Sequence, residues 1–364
     1  MSKLEELIQQ YCPDGVEYKP IGEVCKTKTP PAKLKTSDYK EQGLYHIIDQ
    51  GQGQYAGFTD DEYYLLPDAE YVLYGDHTCI VKYHNGCFAQ GADGLKILVP
   101  TGQNVKYVYY ALSAYNLTNT EYKRHWTQAK EIEIPIPPLP VQEEIVRVLD
   151  TFTELQAELQ AELQKRLQQY NYYRDNLLSF EGRTDVEWKK LGEVSSVLRG
   201  KRLTKSQLSE DGKYKVFHGG IDPIGSFEQF NREGSTTMVI NVGASAGTVG
   251  FSKERFWSSD GCFCLSHSSL FSGRYLYYYL QTKEPYLMSR VRRAGIPTLD
   301  GKVLEELLIP VPSISEQQRI VDVLDRFDTL TTDLTAGLPA EIEKRRQQYE
   351  YYRDKLLTFK KKEA

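Results

Sequence analysis

One stretch of this chain occurs twice. The run from Arg166 to Phe180 (RLQQYNYYRDNLLSF) returns from Arg345 to Phe359 (RRQQYEYYRDKLLTF) with 11 of 15 positions identical. The segments that end in these runs also begin alike, Ile145-Val146-Arg147-Val148-Leu149-Asp150 returning as Ile320-Val321-Asp322-Val323-Leu324-Asp325. A repeat near 175 residues is far too long for a solenoid or propeller unit. It describes two domain-sized halves, each finished by its own helix.

Apolar residues in the first segment fall at Ile145, Val148, Phe152, Leu155, Leu159, Leu163, Leu167, Tyr170, Tyr173 and Leu177. Steps of three and four make one apolar stripe on an otherwise charged helix. The second segment gives Ile320, Val323, Phe327, Leu330, Leu334, Ile342, Tyr349, Tyr352, Leu356 and Phe359. About 40 residues at roughly 1.5 Å each make a helix about 60 Å long. A stripe so narrow asks for a partner helix, and the best partner is the other copy. The pairing set is Phe152, Leu155, Leu159, Tyr170, Tyr173 and Leu177 with Phe327, Leu330, Leu334, Tyr349, Tyr352 and Leu356. The second segment carries four extra residues around Gly337-Leu338-Pro339, where a proline kinks or breaks a helix.

Composition sets the outer bounds. A chain of 364 residues is expected to hold two domains, and 40% hydrophobic content suffices for real cores. No run reaches the roughly 18 apolar residues of a membrane span, and Met1-Ser2-Lys3-Leu4-Glu5-Glu6 has no signal-peptide profile. Six cysteines without a framework point to reduced thiols and the cytoplasm. The net charge of −5 weighs weakly against a nucleic-acid partner but describes no single face.

Taken in order, Leu4, Leu7, Ile8 and Tyr11 predict a short helix ending at Cys12-Pro13-Asp14-Gly15. Val16-Glu17-Tyr18-Lys19-Pro20-Ile21-Gly22-Glu23-Val24 follows and has its counterpart in Val186-Glu187-Trp188-Lys189-Lys190-Leu191-Gly192-Glu193-Val194. That register places Leu7 and Ile8 opposite Leu177 and Leu178, so the first helix reads as a detached piece of the long one. It is expected to dock beside the end of the second long segment. Short β-type runs fill Gly22 to Val99, a helix is expected near Tyr107–Leu112, and a proline-rich exit runs from Ile132 to Pro140. The second half echoes this with β runs, a helix near Tyr275–Leu280 and an exit from Leu308 to Ser315, where Ser315 and Gln318 fit a capping box. The expected divisions are a short helix at 1–12, a domain at 13–140, a long helix at 141–181, a domain at 182–314 and a second long helix at 315–364. The class is α+β: two β-rich domains joined by two long antiparallel, coiled-coil-like helices with pseudo-twofold symmetry. One constant spacer with two differing heads suits a two-part target, which periodicity alone does not name.

At this point the residues carry a family resemblance. The chain resembles, over nearly its whole length, the DNA-specificity subunit of type I restriction–modification systems. Each target-recognition domain of that family is followed by a helical region that starts after a P-x-P…Q…I…L exit. Here that exit is Pro135, Pro137, Gln142, Ile145 and Leu149, then Pro310, Pro312, Gln317, Ile320 and Leu324. The opening Cys12-Pro13-Asp14-Gly15-Val16-Glu17-Tyr18 and both Gly-Glu-Val turns also match. The resemblance implies a non-catalytic subunit without a cofactor, each domain reading one half of a split double-stranded DNA target. It further implies that the helices fix the gap, that two modification (methyltransferase) subunits dock on the helical region, and that a restriction (translocase/nuclease) subunit joins through the complex. The Gly337-Leu338-Pro339 insertion departs from the pattern and bears on the straightness of the second helix.

DNA contact calls for Lys and Arg on phosphates and for Arg, Lys, Asn or Gln on base edges. In the first domain the candidates are Lys26, Lys28, Lys33, Lys35 and Lys40, then Lys123, Arg124, Trp126 and Gln128. In the second they are Arg199, Lys201, Arg202 and Lys205, then Arg290, Arg292 and Arg293. The two leading clusters follow the Gly-Glu-Val turns in both halves, which favours them over a merely solvated surface. Enzyme-like motifs are weaker. Gly243-Ala244-Ser245-Ala246-Gly247 matches a nucleophile elbow but precedes a strand-like run, and Gly51-Gln52-Gly53-Gln54-Tyr55-Ala56 is followed by no helix former. Glu17-x-Lys19 and Glu187-x-Lys189 read as strand starts. His77, Cys79, His84 and Cys87 are spaced too irregularly to predict a metal site. No methyltransferase or Walker motif is present in the sequence. The rival readings are a helix-linked protein scaffold and an enzyme with an unrecognised site.

Overall fold

The computed structural model describes residues 3–115, 124–266, 268–333 and 335–363. The chain is α+β and divides into two compact units, Met1–Leu159 with Ile342–Ala364, and Gln160–Glu341.

In the first unit, one antiparallel sheet runs in the order Cys25–Lys28, Leu95–Pro100, Glu70–Gly75, Val81–Asn85. A second runs Gly57–Thr59, Tyr45–Ile48, Phe88–Gln90, Leu65–Leu66, its central pair parallel. The second unit repeats the plan. Its strands run Val197–Arg199, Cys262–Leu265, Thr236–Ile240, Val249–Ser252, with a smaller sheet Pro223–Phe227, Tyr214–Phe217, Phe256–Ser258. Each unit also pairs its opening strand with its exit: Glu17–Pro20 with Glu133–Ile136, and Glu187–Lys190 with Leu308–Val311. Glu17 and Lys19, like Glu187 and Lys189, are therefore strand residues.

One helix in each unit seats the sheet on the helical region. Val105–Ser113 starts where the Asn104 side chain accepts from the Tyr107 amide at 3.0 Å, and Gly273–Thr282 where the Ser272 hydroxyl accepts from Tyr275 at 3.1 Å. Their buried tyrosines keep a polar handle. Tyr107 donates to the Pro135 carbonyl at 2.9 Å and Tyr275 to that of Pro310 at 3.0 Å. The exits are locked by two buried glutamines. Gln142 donates to Pro137 at 2.7 Å and accepts from the Asn104 amide at 2.9 Å; Gln317 donates to Pro312 at 2.9 Å and accepts from Ser272 at 3.1 Å. A cation then ties each helix to the long segment, Lys106 on Asp150 at 2.6 Å and Arg274 between Asp325 and Asp328, both at 2.6 Å.

The first long segment is a single helix, Leu139–Leu177, of 39 residues. The second is not: it forms Ile314–Thr332 and Leu338–Leu356. Asp333 closes the break, its carboxylate accepting from the Thr335 amide at 2.7 Å and the Thr335 hydroxyl at 2.6 Å. Gly337 fits there because a Cβ would stand 2.5 Å from the Thr329 carbonyl. Pro339 falls in the first turn of the new helix, where the missing N–H is harmless. The cap at the start of the segment is Ser313, not Ser315. The helix begins two residues earlier than a cap at Ser315 implies, and extended Ser313 (ψ 151) accepts from the Glu316 amide at 3.3 Å, while Ser315 bonds the Ser313 hydroxyl.

Helix pairing is resolved within each unit. In the first, Phe152 stacks on Tyr352 with centroids 5.3 Å apart, Leu159 is half-buried, and Tyr349 and Leu356 join the core. The same core takes Leu4, Leu7 and Ile8 of the helix Lys3–Tyr11, and Val16 donates to the Lys360 carbonyl at 2.9 Å. In the second unit Phe327 meets Tyr173 at 5.4 Å and Tyr170 at 6.5 Å, and Leu177 packs on the core. Leu155 (39%), Leu330 (37%), Tyr173 (44%) and Tyr352 (40%) stay well exposed, since a two-helix seam covers one side of each helix. Leu334 lies outside the described residues.

Candidate nucleic-acid interface

The two β-rich units present their basic clusters on loops that backbone hydrogen bonds hold in place. In the first unit Leu34 donates to the Gln90 carbonyl at 3.0 Å, and Gly91 to Ile48 at 2.9 Å. Gln50 is the hub: it donates to the Asp93 carbonyl at 3.1 Å and accepts from the His77 amide at 3.0 Å. Lys82, buried below, donates to the carbonyls of Asp49 at 2.8 Å and Gly53 at 2.6 Å. Burial pushes its pKa below the usual ammonium range, against the opposing pull of Asp49. The Gly51–Ala56 run is thus a clamped loop with no helix behind it.

Two of the five lysines on these loops are matched by carboxylates. Lys33 meets Asp93 at 2.6 Å and Lys40 meets Asp60 at 2.7 Å. Lys28 lies 5.7 Å from the Tyr71 ring centroid, while Lys26 and Lys35 are exposed. Arg124 is exposed and adds to Lys33 in holding the Asp93 carboxyl below its ordinary range, so the two sequence clusters meet at Asp93. Trp126 packs half-buried on Tyr74, centroids 5.7 Å apart, and is a core-margin residue more than an open stacking face. Gln128 is exposed on the turn of helix Trp126–Ala129. Lys123 lies outside the described residues.

The second unit differs. Lys201 is fixed through its backbone, its amide donating to Ser258 at 2.9 Å and its carbonyl accepting from the Trp257 indole at 2.7 Å. Its side chain and those of Arg202 and Lys205 are exposed. Arg199 donates to the Asp260 carbonyl at 3.3 Å. It lines a cleft of about 360 Å³ together with Asn241, Arg290, Arg292, Thr298 and Asp300. Clusters about 90 residues apart in sequence therefore share one cleft, with Arg293 exposed beside it. Among the described residues none of these seven cations pairs with a carboxylate.

Sequence reasoning missed Gln50, Lys82 and Asn241. Asn241 is 3% exposed and its Oδ1 has no hydrogen-bond partner among the described residues; an Asn closing the apolar strand Thr236–Ile240 was the available signal. The Gly243–Gly247 motif forms a turn, Ala246 donating to Gly243 at 3.1 Å, and leads into the strand Val249–Ser252. It lacks the strand-to-helix geometry of a nucleophile elbow. Among the described residues no group of three or more His, Cys, Asp and Glu side chains could hold a metal, and no helix is long and apolar enough to cross a membrane.

Comparison with known proteins agrees with this layout. The family model described as the type I restriction modification DNA specificity domain matches twice, at residues 13–169 and 184–344. The type I restriction enzyme EcoR124I/EcoR124II specificity subunit of Escherichia coli is 34% identical, covering 100% of this chain and 98% of that protein. A putative type I restriction enzyme specificity subunit of Haemophilus influenzae is 32% identical, with 98% of both chains covered. The crystal structure of a type I restriction–modification S subunit from M. genitalium shares the fold at a TM-score of 0.68 and 20% identity, over 94% of this chain and 96% of that one.

Proposed function

The chain belongs to the type I restriction–modification DNA specificity family, and from that premise we propose how its two units divide the work. It is a recognition subunit of a complex that also contains other subunits and DNA. Each unit reads one half of a split double-stranded target, and the helical segments set the length of the gap. Methylation and cleavage belong to partner subunits, two modification subunits docking on the helical region and a restriction subunit joining through the assembly. The observation that carries this reading is the doubled frame with differing rims: Gln142 and Gln317 lock equivalent exits, whereas the basic loops above them share little.

The basic rims supply phosphate contacts, each adding about one unit to the salt slope of binding. Base discrimination falls to the polar groups among them, Gln50 and Gln128 in one unit, Asn241 and the arginines in the other. The test is co-purification with the cognate modification subunit, followed by mapping of methylated sites on genomic DNA. One split motif with a constant gap supports the reading. A complex that assembles but methylates nothing in particular leaves a scaffold and removes the two reading heads. The gap is addressed separately. Deleting the four residues Ala336–Pro339 is expected to change the preferred gap or the assembly and to leave both half-site sequences intact. A changed half-site would reject the ruler.

A further inference from the structure

The second unit carries a strap that the cleft alone does not account for. Arg292 and Thr298 exchange backbone hydrogen bonds, 2.9 Å and 3.1 Å, and so close a narrow loop over Arg293-Ala294-Gly295-Ile296-Pro297. Gly295 turns it at φ +83, with open space where a Cβ would stand. The base is anchored: Gly243 donates to the Pro297 carbonyl at 2.9 Å, Leu299 to Asn241 at 2.9 Å, and the Leu299 side chain is 1% exposed. Thr298 Oγ1 donates to the Ile296 carbonyl at 2.9 Å. The strap is therefore a built loop whose conformation is set at both ends.

At its tip Ile296 is 70% exposed. A single exposed apolar side chain is ordinary on a protein surface; its setting here is not. Arg290, Arg292 and Arg293 precede it within six residues, all exposed and all without a carboxylate partner among the described residues. A partner protein suited to that surface would have to be acidic around an apolar pocket, whereas duplex DNA offers phosphates around stacked, apolar base faces as a matter of course. Groove-binding proteins insert Ile, Leu, Phe or Met between base steps in this way, unstacking them and kinking the duplex.

We propose that the Arg292–Thr298 strap enters a groove of the half-site read by the second unit and seats Ile296 between two bases. Arg290, Arg292 and Arg293 hold neighbouring phosphates. The proposal rests on the reading of this unit as a DNA-reading head. It adds a component of recognition that depends on how easily a base step opens, and such steps are read without hydrogen bonds to base edges. The unstacked step is expected to be a flexible pyrimidine–purine one.

The test uses the complex assembled with its modification subunits and duplexes bearing 2-aminopurine at successive positions of that half-site. Fluorescence is expected to rise severalfold at one step beside the strap and to fall back to the free-duplex level with Ile296→Ala, with Ile296→Leu restoring it. The methylated position also brightens, because methyltransferases flip their target base; that signal is expected to survive in Ile296→Ala. A brightened step away from the methylated position that persists in Ile296→Ala overturns the wedge, as does darkness at every position but the methylated one in a complex that still methylates its motif, the head reading standing in both cases. If Ile296→Ala instead releases a modification subunit on gel filtration, the strap is a protein contact and the proposal is wrong. A complex with no half-site preference at all rejects the head reading and the wedge together.

Discussion

The two units share a frame and differ at the rim. In both, a buried glutamine locks the exit, a buried tyrosine meets the exit carbonyl, and a cation ties the seating helix to the long segment. At the rim the first unit holds Lys33 on Asp93 and Lys40 on Asp60, while the second leaves Arg199, Arg290 and Arg292 around an open cleft. The lesson is one of separable constraints. Frame groups are buried and must satisfy each other's hydrogen bonds, so they recur; rim groups face solvent and are free to diverge.

The sharpest way to break the comparison is at the glutamines. Gln142→Leu and Gln317→Leu each strand backbone groups that the amide now satisfies, at a cost of about 2–4 kcal/mol. Denaturant unfolding is expected to show similar losses in the two variants; a loss in one alone would mean that the frames are not equivalent. A smaller effect separates the rims. Arg292→Ala is expected to lower the salt slope of DNA binding by about one unit, and Lys33→Ala by clearly less, because Asp93 already neutralises that lysine. Equal slopes would erase the difference between the rims.

The smallest effect is a shared acid sensitivity. Arg147 and Lys3 hold the Glu144 carboxyl down to about 2 from 4.5, and Arg319 and Arg183 lower Glu316 near the start of the second long segment. A carboxyl depressed in the folded state contributes stability above its unfolded value and loses it as pH falls through the folded one. For Glu144 the loss is expected between about pH 4.5 and 2, and Glu144→Gln is expected to flatten that part of the stability profile measured by thermal unfolding. The cations lie in solvent, so screening keeps the contribution small.

Much of the fold was legible because it follows from period and repetition. The stripes at Ile145–Leu177 and Ile320–Phe359, the proline exits and the disruptive Pro339 all act locally. The cap at Ser313 in place of Ser315 shows where local reading slips, by two residues. At the rim, the basic clusters were visible as composition, but their state was not. Whether a lysine is neutralised depends on Asp60, 20 residues from Lys40, and on Asp93, 60 residues from Lys33. The meeting of Arg199 with Arg290 and Arg292 depends on strand order, since Val197–Arg199 pairs with Cys262–Leu265. Asn241 offered only its place at the end of a strand as a signal, and the cleft that it lines forms only in the fold.

The most direct test of the division between heads is methylation mapping with the assembled complex carrying Arg290→Ala and Arg292→Ala in the second unit. One part of the split motif is expected to relax while the other part and the gap remain as in the parent complex. Loss of preference in both parts at once, or a changed gap with both parts intact, would contradict it.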